Sequence, residues 1–215
     1  MRAVVVLVFL AGCATEETRC GEAAEALATC HGIDAATFLE ACNNASAEDA
    51  TALVDTVLAE SCPTSDGKAD GLGEWSFVQA CRPVIASAGL VNEARNPTHS
   101  PLPGDLKAQL RPQFGALVDR VSIHWNASLV DDWPMLHVKD AFMDVGAQTF
   151  GNQIFIAAPR ESASLTTIAH ELMHAAQAER LGGTLAFYRE YCRAFYRADL
   201  SYDNNALEIE ARSAE

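Results

Sequence analysis

Apolar residues at Leu165, Ile168, Ala169, Leu172, Met173 and Ala176 fall on one broad face at helical spacing. The pattern predicts a buried helix from about Ser164 to Arg180, stopped by Gly182-Gly183. A second long helix follows from Leu185 to Leu200, with Phe187, Tyr188, Tyr191, Cys192 and Phe195 as core positions. Strict alternation at Val121, Ile123 and Trp125 predicts a strand, and the apolar run Gln153–Ala157, closed by Pro159, predicts another. Asp105 to Val118 is helical in pattern, with an interruption near Pro112.

Toward the N-terminus the periodic segments are shorter. Glu22 to Cys30, Ala35 to Cys42 and a segment opened by Ser46-Ala47-Glu48-Asp49 predict three small helices. Pro63 to Gly73 is a polar loop. Its Asp66-Gly67-Lys68-Ala69-Asp70-Gly71 lacks a calcium loop's oxygen donors at Lys68 and Phe77. Trp75 to Leu90 predicts a helix bent at Pro83. Asn96 to Gly104, rich in Pro, Ser, Thr and Gly, is the strongest break in the chain and the expected domain boundary. A further turn is expected at Trp133-Pro134.

Met1-Arg2, then an apolar Ala3–Leu10, then Ala11-Gly12-Cys13, has the layout of an export leader and is too short to span a bilayer. Leu10-Ala11-Gly12-Cys13 resembles a bacterial lipobox. Residues 1–12 are therefore expected to be removed and Cys13 acylated, giving a membrane-anchored lipoprotein at the outer membrane or cell surface. Residues 13–95 would then be a Cys-rich helical domain and 96–215 a second domain. The 49% hydrophobic content supports a proper core. The formal charge of −14 excludes nucleic acid as a natural partner, because such a surface repels phosphates.

Besides Cys13 the chain carries Cys20, Cys30, Cys42, Cys62, Cys81 and Cys192. An even set in an exported chain implies disulfides. Five of the six precede residue 82, and five is odd, so full pairing within one chain requires a bridge from Cys192 to the N-terminal region. No CxxC pair is present to suggest zinc instead.

The chemistry concentrates in His170-Glu171-x-x-His174. Residues four apart share a helical face, so both imidazoles can converge on one metal ion. Burying two histidines and a glutamate on a core helix is costly without such a partner. Zinc lowers the pKa of a water it binds to about 7, and Glu171 stands where a general base would take that proton. A catalytic zinc needs a third protein ligand. Glu208 and Glu210, two apart in a C-terminal helix, cannot both face it. Glu208 is preferred, because Ala211 on its face allows close helix approach. Histidines 124 and 137 are lone residues in strand or loop, and the expected role of each is structural.

Three runs carry a resemblance: Ala147-Gln148-Thr149-Phe150-Gly151-Asn152-Gln153-Ile154-Phe155-Ile156, His170 to Gln177, and Asn204 to Ala211. They are similar to the core domain associated with extracellular contractile injection systems, a family of zincin-type metallopeptidase pattern, over roughly Asp105 to the C-terminus. The resemblance implies His170 and His174 as ligands, Glu171 as base and a C-terminal glutamate as third ligand. The ligand glutamate of related metallopeptidases stands three before an alanine, again Glu208. Ala175 and Ala206 depart from the usual residues of the pattern.

The expected fold is therefore α+β, mainly helical: a zincin-like domain preceded by a small disulfide-stapled helical one. The expected function is zinc-dependent hydrolysis of a peptide or protein substrate. The Gln153–Ala157 strand would pair with extended substrate, and Tyr188, Tyr191 or Tyr202 would face the oxyanion. The competing reading is a non-catalytic binding or assembly module with a structural metal.

Overall fold

The structure, a computed structural model, describes residues 16–31, 74–130 and 146–215, together with Ala36, Leu39, Cys42, Asn43 and Val54. The leader with Cys13, the segment opened at Ser46 apart from Val54, the 63–73 loop, the Trp133-Pro134 turn and His137 lie outside the described residues.

Among the described residues the helices are α1 (Glu16–His31), α2 (Glu74–Arg95), α3 (Gly104–Phe114), α4 (Leu165–Leu181), α5 (Thr184–Arg197) and α6 (Ala206–Arg212), and there are four strands. The strands are β1 (Ser100–Pro101), β2 (Ser122–Trp125), β3 (Ala147–Phe150) and β4 (Gln153–Ile156). The fold is thus mainly helical α+β with a mixed sheet, in the order β1-β2-β4-β3. Strands β2 and β4 run parallel, pairing His124 with Phe155, while β1–β2 and β3–β4 are antiparallel. The β3–β4 turn is Gly151-Asn152. Gly151, at φ +62°, has the positive φ that a two-residue hairpin turn asks of its first position.

Local signals explain the element ends. Ser164 Oγ accepts from Thr167 N at 3.0 Å and caps α4. At the other end Gly182, φ 96°, adopts the left-handed conformation, and Gly183 N donates to Ala178 O at 2.8 Å. Helix α3 gives way after Pro112 to a 3₁₀ turn over Gly115–Asp119. Helix α5 stops at Arg197 rather than Leu200, because Asp199 and Leu200 both turn to positive φ.

Two apolar clusters hold the fold. One joins the sheet to α4 through Ile123, Ile154, Ile156, Ile168, Leu172 and Ala175. The other gathers α1, α2 and α5 around Ala23, Val78, Ile85, Phe187 and Tyr191. Among the described residues, the disulfides Cys20–Cys42 and Cys81–Cys192 lie in the second cluster. The bridge from Cys192 to the N-terminal region is the one the odd cysteine count demands. Disulfides point to an oxidising compartment, extracellular or periplasmic. Among the described residues no helix is long and apolar enough to cross a membrane.

Helix α2 runs unbroken through Pro83 and lies along α5. Its Glu74 pairs with Arg193 and Arg197, Cys81 bridges to Cys192, and Asn92 Nδ2 donates to Gln148 Oε1 at 2.6 Å. At Gly89 any Cβ would lie 2.9 Å from the Phe150 ring, so only glycine lets the helix settle this close to β3. At 100° per residue, Glu74, Cys81, Ile85, Gly89 and Asn92 fall within roughly 80° of one another. One face of α2 is fastened down along its whole length.

The strand expected to pair with substrate is corrected. Gln153–Ile156 is an interior strand whose two edges are taken by β2 and β3. Ala147–Phe150 stands at the end of the sheet instead. The alternation pattern marks a strand but not its neighbours, which depend on contacts far along the chain.

Candidate metal centre

Helix α4 presents His170 and His174 from adjacent turns, and α6, packed on α4, brings Glu208 to them. All three are buried. The ring nitrogens His170 Nε2 and His174 Nε2 lie 3.1 Å apart. Glu208 places Oε2 3.2 Å from His170 Nε2 and Oε1 3.4 Å from His174 Nε2. Glu208 sits on α6 between Leu207 and Ala211, both buried, with Asn205 capping the helix by accepting from Leu207 N at 3.0 Å.

The histidine tautomers follow from their outer partners. Gln177 Nε2 donates to Leu207 O at 2.9 Å and to Glu210 Oε2 at 3.1 Å, so its Oε1 faces His174 Nδ1 at 2.9 Å and must accept. His170 Nδ1 lies 3.0 Å from Glu215 Oε1, an acceptor too. Both Nδ1 atoms therefore carry hydrogen, so in the neutral rings both Nε2 lone pairs aim at the space shared with the Glu208 carboxylate. Three electron-rich groups meeting in a buried space is an arrangement that asks for a cation. A tetrahedral ion with bonds of about 2.0–2.2 Å holds its donors roughly 3.3–3.6 Å apart, close to the triangle seen. His170, His174 and Glu208 can hold a metal ion.

In the metal-free protein, protons on the two Nε2 atoms take the place a cation would fill. Burial would raise Glu208, but hydrogen bonds from both histidines hold it well below the usual carboxylate range. Burial would lower His174, but the Glu208 carboxylate outweighs it and raises the ring to about 9. His170 is shifted upward in the same way.

Glu171 points elsewhere. It is buried, and Thr149 Oγ1 on β3 donates to its Oε2 at 2.6 Å. Burial raises its pKa, with the nearby His174 and the Thr149 hydrogen bond opposing. Its carboxylate lines the same pocket as His174 and Glu208, together with Thr149, Tyr191 and Tyr202. Tyr191 Oη donates to Glu208 Oε1 at 2.6 Å. Burial and the Glu208 charge push both phenols up.

The alternatives weighed from sequence fall apart in space. Glu210 faces Arg180, which grips both its oxygens at 2.5 and 2.7 Å. Tyr188 lies in a neighbouring groove with Gly89 and Thr184, outside the pocket. His124 is a core residue, its Nδ1 2.6 Å from Asn96 O, its Nε2 3.0 Å from Gln153 Oε1 and its ring stacked on Phe155. Thr149, Gln177 and Glu215 were not singled out by sequence reasoning. Of these Gln177 carried a readable cue, since three residues after His174 places it on the same helical face.

Residues 101–182 match the eCIS core domain. The match takes in β1 through α4, with both histidines and Glu171, and ends before α5 and α6; α1 and α2 also lie outside it. No curated protein and no solved structure matches the chain.

Proposed function

We propose that this protein is a zinc-dependent peptidase, with His170, His174 and Glu208 as metal ligands and Glu171 as general base. One observation carries the reading. Beside the His170, His174 and Glu208 ligand set stands a second buried acid, Glu171, which is not a ligand yet opens into the same pocket. A purely structural metal site has no use for it.

Zinc bound by the three ligands would supply Lewis acidity toward a carbonyl oxygen and an acidified water. The chain's own residues do the rest. Glu171, its pKa raised by burial and its orientation fixed by Thr149, takes a proton from the attacking water and returns it to the departing amine. Tyr191 and Tyr202, with raised phenol pKa values, keep their protons and hold Glu208 in place. Strand β3, at the end of the sheet beside Glu171, offers the backbone against which an extended peptide can lie. The lipobox-like Leu10-Ala11-Gly12-Cys13 supports an exported enzyme tethered to a membrane by lipid on Cys13.

Glu171→Gln tests the reading. Peptide hydrolysis should fall by about 10²–10⁴, while zinc content and fold are retained. A zinc-loaded protein without any Glu171-dependent hydrolysis would instead be a binding or assembly module.

A further inference from the structure

The pocket that contains His174 and Glu208 is lined by both polar and apolar side chains. Glu171, His174 and Glu208 line it together with the apolar side chains of Ile85, Phe150 and Phe187. Gln148 also lines it, but its amide is engaged, accepting from Asn92 at 2.6 Å and donating to Val130 O at 2.7 Å. Among the described residues, no charged side chain lines this pocket apart from Glu171 and the proposed ligands. The hydroxyls of Thr149 and Tyr191 are engaged by Glu171 and Glu208. A charged side chain entering beside Ile85, Phe150 and Phe187 would therefore lose its water to mostly apolar surface, whereas an apolar one gains by burial.

These apolar residues come from elements outside the stretch that matches the eCIS core domain, except Phe150. Phe187 belongs to α5 and Ile85 to α2. Ile85 stands one helical turn after Cys81, so the Cys81–Cys192 bridge fixes α2 on α5 next to the very position that faces the pocket. One turn further on, Gly89 receives the ring of Phe150. Ile85 is 7% exposed, held between these two attachments.

We propose that this pocket is a specificity subsite for an uncharged aliphatic or aromatic side chain flanking the cleaved bond, and that Ile85, delivered by the disulfide-held helix, sets the size it accepts. The inference rests on the peptidase reading. It assigns to the N-terminal helical region a direct part in choosing substrate.

The test uses the full zinc-loaded chain and a peptide series identical except at the residues on either side of one bond. Cleavage sites and kcat/KM are read by mass spectrometry for the wild type, Glu171→Gln, Ile85→Ala and Ile85→Phe. Wild-type cleavage should favour Leu or Phe over Asp or Lys at one flanking position by on the order of 100-fold. Ile85→Ala should shift the Phe-to-Ala preference at that position upward by about tenfold, and Ile85→Phe should reverse it. Ile85→Val, which removes a single methylene, replaces Ile85→Ala if the larger cavity loosens α2. Glu171-dependent cleavage that is indifferent to the flanking side chain, or whose preference is unchanged in every Ile85 variant, overturns the subsite alone. Absence of Glu171-dependent cleavage of any peptide overturns the peptidase reading, and the subsite with it.

Discussion

Gln177 accepts the Nδ1 hydrogen of His174 at 2.9 Å while its amide nitrogen reaches Leu207 O on the helix that carries Glu208. A single fully buried side chain thus sets the tautomer of one proposed ligand and the position of another. Gln177→Ala should lower zinc affinity by about 10–100-fold, the usual cost of losing an outer-shell partner. Competition with a chromophoric chelator measures it, and circular dichroism checks that the helices persist.

Thr149→Val removes the hydroxyl that donates to Glu171 Oε2. That bond stabilises the carboxylate, so its loss raises a pKa already raised by burial. A base must be ionised to act. The acidic limb of the kcat/KM profile should therefore move to higher pH, with zinc content unchanged.

Proton competition governs the metal-free protein. His174 titrates near 9 in the fold against about 6.5 unfolded. Because the folded value is the higher one, its stabilising effect is full below pH 6.5 and is lost as pH rises through 9. Glu208 has the opposite sign: its folded value is depressed, so its contribution is present above about 4.5 and fades on acidification below that value. The metal-free thermal midpoint should be highest between these limits and fall toward pH 9. Zinc uptake at pH 7 should release protons, visible as buffer-dependent heats in titration calorimetry.

Cys192→Ser opens a bridge between residues 111 apart in sequence. The loss should be about 2–5 kcal/mol of stability, read as a lower denaturant midpoint, and reductant should bring the wild type toward the same value.

What the sequence disclosed was mostly local. His170 and His174 meet because four residues make one helical turn, and Ser164 and Gly182-Gly183 mark the ends of that helix without reference to anything distant. Glu208 was separable from Glu210 by the same periodicity, with Ala211 as the small contact on its face. The pairing of Cys192 with the N-terminal region followed from parity alone. What depended on long-range packing was hidden. Neither Ile85 nor Thr149 differs in type from dozens of core or strand residues, and each matters only through a partner 102 or 22 positions away, Phe187 or Glu171. Tyr191 and Tyr202 could be told from Tyr188 only once α5 had a fixed rotation about its axis. The order of strands is equally silent, so the pattern alone does not show that Gln153–Ile156 is interior and Ala147–Phe150 lies beside it.

The Cys81–Cys192 bridge also imposes a sequence in time. During synthesis Cys81 appears long before its partner, and both histidines lie inside the covalent ring that the two cysteines close, while Glu208 lies beyond it. The ring can be sealed only after the histidine helix has emerged, and the last ligand arrives after that. A chain trapped by premature pairing of Cys81 with another early thiol would leave Cys192 without its mate and α2 misplaced, so correct oxidation is a late checkpoint on building the pocket.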